Sequence, residues 1–205
     1  MKNKIIKDAL ALTLITLVAG VALGGVYEIT KDPIAKQEAQ AKAEAYEQVF
    51  TDAAAFDAVE MDDTLTKTIR DQLDQEGYKA QSIEEVMRAE DQSGETLGYA
   101  FTVVTSEGYG GDIQFSMGVQ NDGTLNGISI LSIGETAGLG MNADTPAFKD
   151  QFVGKQVEKL QYTKNGATQD DEINAISGAT VTTNAMTNGV NAGLCAFRVM
   201  EGGDQ

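Results

Sequence analysis

Histidine is absent from the chain, and cysteine occurs once, as Cys195. Without histidine, most hydrolytic triads, most zinc sites and imidazole ligation of haem are excluded. A single cysteine rules out an internal disulfide, a CxxC redox pair and a cysteine-ligated iron–sulfur cluster. Any redox chemistry must therefore use a group brought from elsewhere. Basic residues are scarce as well: 15 Lys and Arg stand against 31 Asp and Glu, for a formal net charge of -16. Nucleic acid and anionic lipid head groups carry the same sign and are repelled, so neither is expected as a surface partner.

What is present belongs to a folded protein. A hydrophobic content of 42% and a charged content of 22% predict a sizeable core rather than disorder, and 205 residues give room for one domain plus an anchor. No charged residue occurs from Ala9 to Tyr27, and at ~1.5 Å per residue that run matches a ~30 Å hydrocarbon core. Lys2, Lys4 and Lys7 precede it and Glu28 follows, which keeps the N-terminus in the cytoplasm by the positive-inside rule. A cleaved signal peptide is the competing reading, because Ala19, Gly20, Ala22, Gly24 and Gly25 are small. Against it, the apolar run exceeds a usual signal core of ~7 to 15 residues and ends in no Ala-x-Ala site. Either way, the bulk of the chain is exported. The expected organisation is a cytoplasmic N-terminus (1–8), a transmembrane helix (9–27), a membrane-proximal helix (28–56) and an extracytoplasmic domain (57–205), in a single-pass protein of the cytoplasmic membrane.

Asp32-Pro33 reads as a helix start, with Asp as cap and Pro at the first helical position. The Ala-, Gln-, Glu- and Lys-rich stretch to about Phe56 carries Ile34, Ala41, Ala45, Val49, Ala53 and Phe56 at helical spacing. A second helix is predicted from Thr64 to Gln75, ended by Gly77. From Leu97 the period changes to two: Tyr99, Phe101 and Val103, then Ile113, Phe115, Met117 and Val119. Asn121-Asp122-Gly123 is a hairpin signal leading into Leu125–Ile133, so the strands form an antiparallel sheet. A short helix follows around Phe148, then a strand from Val157 to Tyr162 closed by Asn165-Gly166, and finally a helix with Met186, Val190, Leu194 and Phe197 on one apolar face. The architecture is α+β, with one exported domain on one anchor. Cys195 lies between Leu194 and Phe197 and reads as a buried, inert thiol. The acidic run Glu60–Asp63 lacks calcium-loop spacing and reads as a solvated helix entrance.

Two segments carry candidate chemistry. Ser177-Gly178-Ala179-Thr180 opens the last helix, where amide donors and the helix dipole favour a phosphate. Gly178 and Ala179 leave the backbone unshielded and Thr180 adds a hydroxyl. The structural alternative is that Ser177 caps the helix while Thr182 and Thr183 satisfy first-turn amides. Gly134-Glu135-Thr136-Ala137-Gly138-Leu139-Gly140 follows a strand, and its glycines permit close approach to a flat or anionic ligand. It lacks the GxGxxG spacing of a dinucleotide loop and, taken alone, is as readily a plain turn.

Taken in order, the N-terminal anchor, Gly108-Tyr109-Gly110-Gly111, the hairpin NDGTLNGISIL, the loop GETAGLG, the segment FKDQFVGK and SGATVTT resemble the FMN-binding domain of two related proteins. These are the G subunit of Rnf-type ion-translocating ferredoxin:NAD oxidoreductases and the C subunit of the sodium-translocating NADH:quinone reductase. The chain length favours the former. The resemblance implies FMN joined through its phosphate to Thr180 by a flavin transferase, with Ser177, Gly178 and Ala179 as recognition context. It also implies Glu135, Thr136, Leu139 and Gly140 as contacts of the flavin ring. Lys155 is the one basic candidate for the phosphate. Ala137 stands where the family usually has proline, and Asn174 where an aspartate is common. The implied function is electron relay within a membrane complex, with its other membrane and peripheral subunits as partners and no hydride transfer on this chain. The alternatives are a quinone-reductase component like that C subunit, an FMN-domain protein of another exported reductase, and an exported binding or scaffold module without flavin.

Overall fold

A computed structural model describes residues 2–203. Met1, Asp204 and Gln205, at the outer ends of the expected cytoplasmic N-terminus and exported domain, lie outside the described residues. The chain divides into two compact units, Met1–Ala41 and Lys42–Gln205.

The first unit is helical. Helix α1 (Lys2–Val49) is unbroken, and it is the one helix among the described residues long and apolar enough to cross a membrane. Leu10, Leu12, Leu14, Ile15 and Leu17 are all exposed on it, covered by no part of the protein, as a bilayer-facing surface requires. The expected helix start at Asp32 is not observed, because Pro33 lies inside α1. An internal proline forfeits one hydrogen bond and costs ~3 kcal/mol. The run of strong helix formers after it, from Lys36 to Glu47, outweighs that loss.

In the second unit α1 ends at Val49, short of the expected Phe56, and its last turn closes through Phe50 N–H to the Tyr46 carbonyl at 2.9 Å. Phe56 instead lies in strand β1 (Ala55–Ala58). Helix α2 (Asp63–Glu76) follows; Asp62 Oδ1 caps it by accepting from Leu65 N–H at 2.7 Å, and Gly77 ends it at φ +90°. Strands β2 (Gln81–Glu90), β3 (Thr96–Thr105), β4 (Ile113–Gln120) and β5 (Leu125–Ile133) complete one sheet of order β1-β2-β3-β4-β5, antiparallel throughout. β2 is masked in the sequence by four charged residues and by a bulge between Ile83 and Glu85 that breaks its period.

Helix α3 (Pro146–Lys149) buries Phe148. Strand β6 (Gln161–Thr163) then pairs in parallel with β7 (Glu172–Asn174). The strand expected over Val157–Tyr162 is thus confined to its end. The reason is local: both backbone groups of Leu160 are taken by the Asn191 side-chain amide, at 2.7 and 2.9 Å, which leaves nothing for a ladder.

Helix α4 (Thr180–Gly203) lies across the sheet. Phe101, Val103, Phe115, Met117 and Val119 face it, all fully buried. A β-carbon added at Gly189 would sit 2.8 Å from the Phe115 ring, and one added at Gly193 would collide with the Met117 sulfur. Only glycine allows this approach. The helix is buried on most sides rather than on one apolar face: Thr182, Thr183, Thr187 and Asn191 are as buried as Met186 and Val190, because α2 and the segments after β5 enclose it as well. Burial and the neighbouring Glu76 push the Cys195 thiol up to about 12, so it stays protonated and unreactive at neutral pH.

Candidate functional site

The end of β7 turns into α4 through Ala175–Ala179. Gly178 supplies the left-handed backbone at φ +76°, and Ala179 N–H bonds the Ile176 carbonyl at 3.1 Å. Thr183, one turn into the helix, locks this turn in place: its hydroxyl accepts from Ile176 N–H at 3.0 Å and donates to the Ala179 carbonyl at 2.9 Å. Because α4 begins at Thr180, Ala179 holds the cap position and Ser177 lies two residues ahead of it. The first intrahelical bond runs from Thr183 N–H to the Ala179 carbonyl at 3.0 Å. The amides of Thr180, Val181 and Thr182 therefore precede the helical ladder and point out of the helix start.

Upstream, Asn174 is held by Gln151, whose Oε1 accepts from both Asn174 N–H (2.6 Å) and Nδ2 (3.0 Å); Asn174 Oδ1 accepts from Ala167 N–H at 2.7 Å. The asparagine amide fits this network as donor and acceptor at once. On the same strand, backbone N–H groups of Thr168 and Gln169 hold the Glu172 carboxyl below the usual carboxylate range.

The loop after β5 forms the opposite wall. Glu135 is buried, and its Oε1 accepts from Gly110 N–H at 3.3 Å, tying the Gly108–Gly111 loop to this wall. Gly140 is wedged so tightly that a β-carbon there would sit 2.5 Å from Glu135 Oε2 and 2.6 Å from Thr182 Oγ1. Loop and helix start are thus in direct contact. Glu107 adds a second tie, accepting from the side-chain amides of Asn184 (3.4 Å) and Asn188 (2.7 Å) on α4.

Between these walls lies a cavity of about 430 Å³, within the ~300–1,000 Å³ range of small-molecule sites. Glu135, Thr136, Leu139 and Gly140 line it from the loop; Gly178, Ala179 and Thr180 line it from the helix start. Seven of the nine candidate residues of the sequence therefore meet at one place. Ser177 adjoins it, exposed, without lining it. Lys155 is not brought there: its ammonium donates to the Asp170 carbonyl at 2.5 Å, and its backbone bridges Leu125. Tyr109, Val181 and Thr182 also line the cavity, although the sequence does not mark them as contacts. An aromatic residue set among three glycines, Gly108, Gly110 and Gly111, is the available signal for the first.

The three neighbouring threonines are distinguished by burial. Thr182 and Thr183 are 1% and 0% exposed, whereas Thr180 is half-buried and opens to the cavity. No Lys or Arg lines the cavity, and its one formal charge is Glu135. Apolar walls, open amides at a helix start and a half-exposed hydroxyl among them suit a group with an apolar ring and a single phosphate.

Residues 108–194 match the family model of the FMN-binding domain, and residues 1–49 that of the RnfG N-terminal region. The chain is 32% identical over 196 residues to the G subunit of the Na(+)-translocating ferredoxin:NAD(+) oxidoreductase complex of Acetobacterium woodii, covering 95% of this chain and 92% of the relative. It belongs to this G-subunit family. Within that family it is also 28% identical over 202 residues to the G subunit of the proton-translocating ferredoxin:NAD(+) oxidoreductase complex of Clostridium ljungdahlii, covering 98% of this chain and 96% of the relative. Likeness to the C subunit of the Na(+)-translocating NADH-quinone reductase of Pasteurella multocida reaches 41%, but only over 80 residues, 35% of this chain and 31% of the relative. The G-subunit assignment therefore rests on the whole chain and the quinone-reductase likeness on part of it. FMN is the cofactor of the matched domain, and every residue lining the cavity, from Tyr109 to Thr182, lies inside it.

Proposed function

We propose that the chain carries FMN as a phosphoester on Thr180 and relays electrons through it, as the extracytoplasmic flavoprotein subunit of an ion-translocating ferredoxin:NAD oxidoreductase. The observation that carries this reading is the meeting of the two sequence segments in one cavity, with Thr180 the threonine of the helix start that is not buried there. The helix-start amides stabilise the phosphate, and Leu139, Gly140 and Gly178 provide close apolar walls for the ring. A covalent tether removes the need for a cluster of cations around the phosphate, which agrees with a lining free of Lys and Arg. Attachment needs an activated FMN phosphoanhydride and a flavin transferase. The Thr180 Oγ–phosphorus bond forms, the anhydride phosphorus–oxygen bond breaks, and the hydroxyl proton leaves with the departing phosphate.

Lys2, Lys4 and Lys7 before the apolar part of α1 favour a single pass with the N-terminus inside. The domain then lies outside the cytoplasm, out of reach of soluble ferredoxin and NADH. Electrons arrive and leave through partner subunits of the complex, and hydride transfer takes place elsewhere. When bound, FMN supplies one- and two-electron redox chemistry. The chain's own part is to hold the phosphate at the α4 start and the ring between the two loops.

Coexpression with a flavin transferase and intact-mass measurement test this. The full chain is expected to gain the mass of one FMN group, and Thr180→Val to gain none. Unlabelled wild-type chain under those conditions overturns the proposal.

A further inference from the structure

We infer that Tyr109 is the stacking wall of the flavin site, its ring lying against one face of the isoalloxazine of an FMN tethered at Thr180. The inference rests on the FMN reading above and adds to it a ring contact.

Tyr109 is the one aromatic residue lining the cavity. It is 77% exposed, and its ring has no aromatic partner among the described residues. The backbone beneath it is nevertheless fixed. Gly110 N–H is bound to the buried Glu135 carboxylate. A β-carbon at Gly108 would collide with the Gly111 carbonyl, and one at Gly110 with the Gly134 carbonyl. The two flanking positions thus accept only glycine while the position between them holds a large aromatic left over open space. A freely moving surface loop has no such requirement for close approach on both sides. Across the same cavity Leu139 and Val181 are 43% and 50% exposed. Three exposed apolar side chains therefore ring one opening, with the phosphate-binding helix start at its edge. A planar apolar ring entering from Thr180 covers all three, and an aromatic neighbour meets such a ring best in an offset stack.

The test uses flavin fluorescence. A stacked tyrosine ring passes an electron to the photoexcited flavin and takes it back, so emission is quenched with no net reaction. The full-length chain, Tyr109→Ala and Tyr109→Trp are each coexpressed with a flavin transferase, checked for one FMN by intact mass, and compared for emission yield and lifetime. The expected result is equal labelling, emission several-fold brighter in Tyr109→Ala, and quenching retained in Tyr109→Trp. Equal labelling with the same emission from wild type and Tyr109→Ala overturns the stacking and leaves the FMN reading intact. Absence of label from the wild-type chain overturns both.

Discussion

The two faces of the five-stranded sheet are built on different chemistry. The face toward α4 is apolar and packed as closely as glycine allows, with Phe115 against Gly189 and Met117 against Gly193. The opposite face carries the last turns of α1 on a mixed surface, where a small apolar cluster of Tyr46, Val49, Phe50, Ala89 and Ala100 lies beside a polar stripe. There Tyr46 Oη meets Thr102 Oγ1 at 2.7 Å and donates to Glu85 Oε2 at 2.9 Å, Lys42 pairs with Glu85 at 3.0 Å, and Ser129 donates to Gln48 Oε1 at 2.8 Å. Close apolar packing leaves a helix one position, and the first face therefore fixes where α4 begins and where Thr180 stands. On the second face, hydrogen bonds of modest net strength add to the apolar cluster around Phe50 and join the helix end to the domain. The site opens on the helix of the first face, and no residue of α1 lines it.

Substitutions can break that contrast in order of size. Gly193→Leu forces a side chain into Met117, where a β-carbon alone would already overlap the sulfur; overpacking typically costs about 1–3 kcal/mol, this overlap lies at the upper end, and thermal denaturation should show a large loss of stability together with loss of FMN labelling. Thr183→Val leaves the Ile176 amide buried without its partner, a loss of about 1–3 kcal/mol. It should slow labelling of Thr180, with Thr183→Ser restoring both stability and labelling rate. On the far face, Tyr46→Phe removes the hydroxyl that joins Thr102 and Glu85, for a loss of about 1 kcal/mol, and labelling should not change.

The pH dependence of that far face has a definite sign. Burial opposes the charge on Glu85, but hydrogen bonds from Lys42 and Tyr46 and the Lys42 charge outweigh it and hold the carboxyl below its usual 4.5. A depressed carboxyl stabilises the fold above its unfolded value and loses that contribution as pH falls below 4.5. The pair is partly exposed, so the effect stays below ~1 kcal/mol. Denaturation curves of wild type and Glu85→Gln should converge as pH falls through that range. The smallest expected effect is that of Lys155→Ala. Since Lys155 bonds the Asp170 carbonyl away from the cavity, the labelling rate should match that of wild type.

The parts of the fold legible in the sequence are those with a clean period or punctuation. β3, β4, β5 and the Asn121-Asp122-Gly123 turn follow from alternation and turn chemistry, and α2 from its spacing and Gly77. β1 is too short to signal, and β2 hides behind its charges and bulge. Pro33 misleads because a local start signal falls inside one helix, which runs on from the apolar segment into the Ala-, Glu- and Lys-rich stretch after it. The two walls of the site were legible as motifs, whereas their contact was not, because the wedging of Gly140 against Glu135 and Thr182 is tertiary. The same holds for Thr183: its sequence position allows a first-turn cap, and only the fold assigns its hydroxyl to Ile176 and Ala179.

The most direct test of the central claim is localisation of the flavin within the labelled chain. No Lys or Arg lies between Lys164 and Arg198, so trypsin releases Asn165–Arg198 as one peptide holding Thr180, Thr182 and Thr183 together. Fragmentation of that peptide from the chain coexpressed with a flavin transferase should place the whole FMN mass on Thr180. The same mass on Thr182 or Thr183 would contradict the account.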